Sequence, residues 1–227
     1  MRTDCQGILA IWHDIAAGQE SETLAWYDRQ HHPERVAVPG FLSARRYAAV
    51  RGGPRIFIRY ETRDPGVLAS PAYLERLNQP TDWSLRCQPN IINNSRTVCR
   101  VAARSGRTEG GFVATFRFDP PAGADPAEAL GWTRLVKECE GRRGTLALEL
   151  WVADRERSSL DSREKELRGT ADHVTGAALI VHGSAPRPLA DLLEPWRQRL
   201  AGATGTAVAA GCKACPMPSR QSAPDFA

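Results

Sequence analysis

Apolar and polar positions along this chain alternate with two periods, and the switches between them lay out its elements. Residues 7–15 are a short, largely apolar run that predicts a strand; residues 21–32 carry helical spacing behind Ser21, a suitable N-cap. Pro39-Gly40 marks a turn, residues 41–50 a second strand, Gly52-Gly53-Pro54 a tight connection, and residues 55–63 a third strand. A second helix is expected over 65–77, continuing irregularly through Trp83, and a fourth strand over 91–103. The order β-α-β-β-α-β is that of a ferredoxin-like unit.

A glycine-rich, charged break at 105–111 follows, and the order then repeats. Strands are expected over 112–119, 144–154, 177–182 and 206–211, with helices over 125–142 and 188–200. Leu146, Leu148, Leu150 and Val152 alternate on one face of the second of these strands. Residues 155–175 read as a long polar connection. The fold class is therefore α+β: a ferredoxin-like unit at 1–106, a degenerate second copy at 107–215, and a disordered Pro/Ser-rich tail at 216–227. A sheet with helices on one face leaves its other face bare. Two such sheets solve this by packing face to face, as a pseudo-dimer within one chain or half to half between two chains.

Strand alternation then assigns faces. Ile56, Ile58 and Tyr60 suit the helix side of the third strand, which sends Phe57, Arg59 and Glu61 to the opposite side. Arg45 and Tyr47 share one face of the second strand, and Ala44, Arg46 and Ala48 the other. His13 alternates with Leu9 and Ile11, while Trp12 and Asp14 take the other face. Charged groups on an inner face are costly unless paired or functional, so a polar cavity between the sheets is expected.

The densest chemistry lies in Trp26-Tyr27-Asp28-Arg29-Gln30-His31-His32-Pro33. Tyr27 and His31 are four apart on a predicted helix, on the face that Leu24 shares, and Pro33 stops or kinks the helix behind them. A neutral imidazole can take and give a proton near pH 7, which makes His31 the leading acid–base candidate. Tyr27 and His13 are its expected companions. Arg45, Arg46 and Arg59 are the candidates for holding a carboxylate, with ion pairing to Glu61 as the alternative use. Asp14 and Trp12, at the end of the first strand, and Trp83 are expected to line the same pocket. His32 falls on a different helical face, as an exposed partner of Asp28.

The run Trp26-Tyr27-x-x-x-His31-x-Pro33, followed by Glu34 to Val38 and the Pro39-Gly40-Phe41 turn, resembles the EthD-type branch of the dimeric α+β-barrel superfamily over residues 7–103. The second half matches in element order alone, since its first helix lacks the motif. The resemblance implies a barrel fold and a small-molecule enzyme. The superfamily includes cofactor-free isomerases, cofactor-free quinol monooxygenases, cyclases and haem enzymes. The leading expectation is acid–base catalysis of the isomerase or lyase type on a small anionic substrate. A cofactor-free monooxygenase, a haem-binding barrel enzyme and a non-catalytic ligand-binding or stress-response barrel stand behind it.

Composition narrows this further. The chain has 227 residues, 42% hydrophobic, with a net charge of +4. The charge excess falls in residues 1–106 (14 basic, 10 acidic) and is spread along strands, which disfavours nucleic acid and suits an anionic small molecule. No apolar run is long enough for a membrane span and no signal sequence opens the chain, so a cytoplasmic protein is expected, with homodimerisation open. Six scattered cysteines predict free thiols, and the lone Cys212-Lys213-Ala214-Cys215 lacks the second pair a zinc site needs. No phosphate loop, dinucleotide fingerprint or metal-ligand cluster is present, so neither a nucleotide nor a metal is expected.

Overall fold

The computed structural model describes residues 4–215 together with the backbone of 221–222. The first unit runs β1 (Gly7–Ile15), α1 (Glu20–Trp26), a π turn (Tyr27–His31), α2 (His32–Val36), β2 (Phe41–Arg51), β3 (Ile56–Thr62), α3 (Pro71–Asn78), α4 (Asp82–Cys87) and β4 (Ile91–Ser105). The second runs β5 (Phe112–Phe118), α5 (Pro126–Leu130), α6 (Trp132–Glu140), β6 (Thr145–Ala153), α7 (Arg155–Ser158), α8 (Arg163–Arg168), β7 (Ala177–Gly183), α9 (Pro186–Thr204) and β8 (Ala209–Ala214).

Within each unit the strands lie in ferredoxin-like order, β4-β1-β3-β2 and β8-β5-β7-β6. β4 pairs with β6 and β2 with β8, so the eight strands close into one antiparallel barrel. Closure removes the edges that two separate four-stranded sheets would expose. Residues 221–222 add a short strand, β9, beside Ser43 and Ala44 of β2; the rest of the expected disordered tail lies outside the described residues.

Local chemistry explains the element ends. Ser70 caps α3, its Oγ accepting from the Tyr73 amide, and Pro71 follows at the first helical position. Asp125 caps α5 in the same way. The single helix expected over 125–142 is divided at Gly131, whose φ of +63° a residue with a side chain adopts at a cost. The connection at 155–175 is not wholly irregular: it holds α7 and α8.

The core has three compartments. Leu9, Ile58, Tyr60, Trp26 and Tyr27 are among the residues packed between the first sheet and its helices. Phe116, Leu148, Leu179 and Trp196 do the same in the second unit. Trp12, Tyr47, Phe57 and Trp151, all fully buried, fill the barrel interior. Inside with them lies a network of three arginines and three glutamates. Arg59 contacts Glu61 at 2.7 Å and Glu149 at 3.0 Å, Arg45 contacts Glu109 at 2.7 Å, and Arg104 contacts Glu149 at 3.1 Å. The face assignments from alternation hold, but the expected polar cavity between the sheets is corrected for the middle of the barrel, which aromatic rings and paired charges fill. Pairing is the way buried charge is tolerated in low dielectric. No helix of the described residues is long and apolar enough to cross a membrane.

Candidate functional site

Tyr27 and His31 do not look into the barrel. They lie outside it, under the helices of the first unit, against the outer face of β1 and β3. The π turn decides their arrangement. The His32 amide bonds the Tyr27 carbonyl five residues back, so an extra residue is wound into the turn. Both His31 and His32 are thereby turned inward against Tyr27, with ring centroids 5.5 and 5.1 Å away. This corrects the expectation of an exposed Asp28–His32 pair. His32 is 1% exposed and its Nδ1 lies 2.8 Å from the Tyr60 hydroxyl, while Asp28 pairs with Arg46 at 2.9 Å.

His13 completes the cluster. Its Nδ1–H donates to the Asp14 carbonyl at 2.9 Å, which leaves Nε2 to accept from the Tyr27 hydroxyl at 3.1 Å. The Tyr27 proton is thus committed to His13. Burial lowers the His13 pKa to about 4 and that of His32 to about 3. Burial also pushes the Tyr27 phenol upward, so Tyr27 stays neutral.

His31 differs from both. Burial, then the Arg35 guanidinium, hold it well below the ordinary histidine range. Its ring packs tilted against Trp26, centroids 4.2 Å apart, and Trp26 is itself anchored by an Nε1–H bond to Ser84 of 3.2 Å. Its Nδ1 is buried and has no hydrogen-bond partner among the described residues. Two more buried atoms on the same wall, Arg35 Nη1 and Asn94 Oδ1, also lack one. Unmet buried polar groups are costly, and here they line one cavity.

That cavity measures about 30 Å³, room for roughly one water. Tyr27, Tyr60 and Tyr73 form its aromatic wall and Arg35, Arg96 and Arg168 its cationic one. Arg96 bonds the Tyr73 hydroxyl at 3.1 Å. The far wall comes from the second unit: Glu164 on α8 pairs with buried Arg35, and Arg168 pairs with Asp172 at 2.8 Å, which in turn accepts from Asn94 at 2.6 Å. α8 therefore covers the first unit's site.

Of the residues expected at the site, His31, Tyr27 and His13 come together. The others do not join them. Arg45 and Arg59 lie in the barrel's ion-pair network, so Arg59 takes the ion-pairing use instead of holding a free carboxylate. Asp14 is turned to the Arg55 amide and the Asn93 side chain, buttressing the strand end. Trp12 is inside the barrel, stacked on Phe57 at 4.8 Å. Trp83 packs at the edge of the first-unit core. Arg35 was missed although Tyr27, His31 and Arg35 recur every four residues. Tyr60 and Tyr73 read as ordinary core positions. Nothing local pointed to Glu164 and Arg168, which arrive from some 130 residues away.

No family model matches the chain, and no curated protein matches it. Solved structures do. An anthrone oxidase-like protein aligns over 99% of this chain and 95% of its own length, with TM-score 0.65 and 11% identity. A candidate monooxygenase from Fusobacterium nucleatum covers 98% of both chains, with TM-score 0.51 and 12% identity. A candidate chlorite dismutase covers 93% of this chain and 95% of its own, with TM-score 0.52 and 9% identity. The chain has the dimeric α+β-barrel fold. At these identities the likeness extends to the fold and no further.

Proposed function

We propose that this barrel is a cofactor-independent enzyme that removes a proton from an acidic, enolisable aromatic substrate and passes the resulting anion to molecular oxygen. The observation that carries the reading is the neutral His31, with an unmet ring nitrogen, in a cavity walled by three tyrosines and three arginines. A base of depressed pKa is available at neutral pH but weak, so it suits a carbon acid whose anion is well delocalised. Arg35 and Arg96 stand where that anion would be stabilised. Tyr27, its proton held by His13, positions the ring.

An anthrone, the compound in the name of one structural neighbour, is a substrate of this kind. His31 takes a methylene proton. The carbanion donates its electrons to oxygen, one oxygen atom becomes the new carbonyl, and the other leaves as water with the two methylene hydrogens. Isomerisation is the same first step followed by return of the proton to another carbon. The Tyr27-x-x-x-His31-x-Pro33 helix end supports the kinship with the EthD-type branch. The cavity as it stands is too small for such a ring, so the reading requires α8 to move aside. A haem is far larger than this cavity, where the His31 ring packs against Trp26 and Tyr27, so no step is routed through one.

Oxygen uptake with anthrone tests the reading. Uptake matched by quinone formation is expected, falling by about 10²–10⁴ in His31→Ala. Full turnover in His31→Ala overturns the role of the imidazole. Conversion that needs His31 but consumes no oxygen replaces oxygenation by isomerisation.

A further inference from the structure

A second pocket, of about 740 Å³, opens at one end of the barrel and shares only Asn94 with the His31 cavity. This size lies within the range of small-molecule sites. Its apolar walls include Pro54, Phe118 and Val208. Arg117 reaches it from the inward face of β5, the face that Val113 shares.

Arg117 is the unusual group. Its guanidinium lies 5.0 Å over the Trp12 ring and makes no hydrogen bond or ion pair among the described residues. Burial without an acceptor pulls its pKa down to about 10. Other buried or half-buried arginines among the described residues have a carboxylate: Arg35, Arg45, Arg46, Arg59 and Arg168 all do. The acid in this pocket, Asp119, is already engaged by Arg155 at 3.1 Å and the Gly176 amide at 2.9 Å. Two further donors stand unmet nearby. Ser95 Oγ, on the pocket wall, and Trp12 Nε1 are buried without partners, and the two residues are cross-strand neighbours on β4 and β1. Lys213, fully buried on β8, adds positive charge; its ammonium is satisfied by the Gly52 and Pro54 carbonyls, and Arg117 repels it.

We infer that this pocket is a second ligand site, distinct from the His31 cavity, that binds a small organic carboxylate: the carboxylate on Arg117 and Ser95, the apolar body on Phe118, Val208 and Pro54. A planar fork matches a carboxylate, and a charge-assisted bond in a desolvated setting is worth more than one at the surface. The apolar walls favour an organic acid over a bare inorganic anion.

Calorimetric titration with benzoate, benzamide and inorganic phosphate tests this. Benzoate binds, benzamide and phosphate bind at least about tenfold more weakly, and Arg117→Met weakens benzoate at least about tenfold. Ala207→Trp, at an exposed rim position that leaves Arg117 intact, fills the pocket and abolishes binding whether or not Arg117→Met folds. His31→Ala leaves benzoate binding unchanged, which separates this site from the proposed catalytic one. Undetectable benzoate binding, equal binding of benzamide or phosphate, or unchanged binding in Ala207→Trp overturns the inference.

Discussion

Acid should unfold this protein in a pH range where its carboxylates are still ionised, because its first-unit core is built on uncharged histidines. His13 and His32 are buried, with pKa values lowered from 6.5 to about 4 and about 3, burial being the main cause in each. In the unfolded chain both take up a proton as pH falls below 6.5; in the folded chain neither does until pH 4 or lower. The unfolded state therefore binds more protons throughout that window, and stability falls as pH falls. pH 5 lies about 1.5 units below the unfolded value of each group, which costs about 2 kcal/mol apiece and about 4 kcal/mol together. His31 acts in the same direction. Against a typical total of about 5–15 kcal/mol this is a large share. Glu109, held at about 2 by Arg59 and Arg45 against its own burial, loses its contribution only below about pH 5, so the range from pH 7 to 5 reports the histidines. Urea unfolding at pH 7, 6 and 5 measures the slope, and His32→Asn should cut it by a third to a half. A stability that is flat between pH 7 and 5 would falsify the neutral-histidine core.

Two further substitutions probe the site's supports. Glu164→Ala strands the Arg35 guanidinium in a buried wall and should cost about 3–5 kcal/mol in denaturant unfolding, whereas an exposed control such as Glu194→Ala, part of a surface pair with Arg197, should change stability far less. Equal effects of the two would mean that α8 is not held by that pair. Tyr27→Phe removes the proton that His13 Nε2 accepts and should cost about 1–3 kcal/mol. It should also shift the His13 imidazole resonances in a proton–nitrogen NMR spectrum; unchanged resonances would refute the hydrogen bond.

Much of the architecture was legible because it is local. Alternation in β1–β3 put Trp12, Phe57 and Arg59 on one face and Leu9, Ile58 and Tyr60 on the other, and the barrel honours both sets. Turn residues such as Pro39-Gly40 punctuated the first unit, and the Tyr27–His31 spacing led to the pair that does line a cavity. Each of these follows from a period of two or of nearly four residues, which the backbone imposes wherever the chain is placed.

What lay beyond the sequence was every feature that depends on which segments meet. Strand periodicity shows that Arg59 and Glu61 face inward, but not that Glu109 and Glu149 arrive to neutralise the arginine. It gives His32 a surface position, because a helix of regular pitch has no place for the extra residue of a π turn. It leaves 155–175 as a polar connection, since α8 has no apolar stripe of its own. Its purpose is a charge on Arg35, some 130 positions earlier. Residue types and spacing determined the barrel units and their faces; closure of the barrel decided where the cavities are and which charges remain unpaired within them. Burial removes water as the partner of last resort, and only the tertiary structure supplies the replacement.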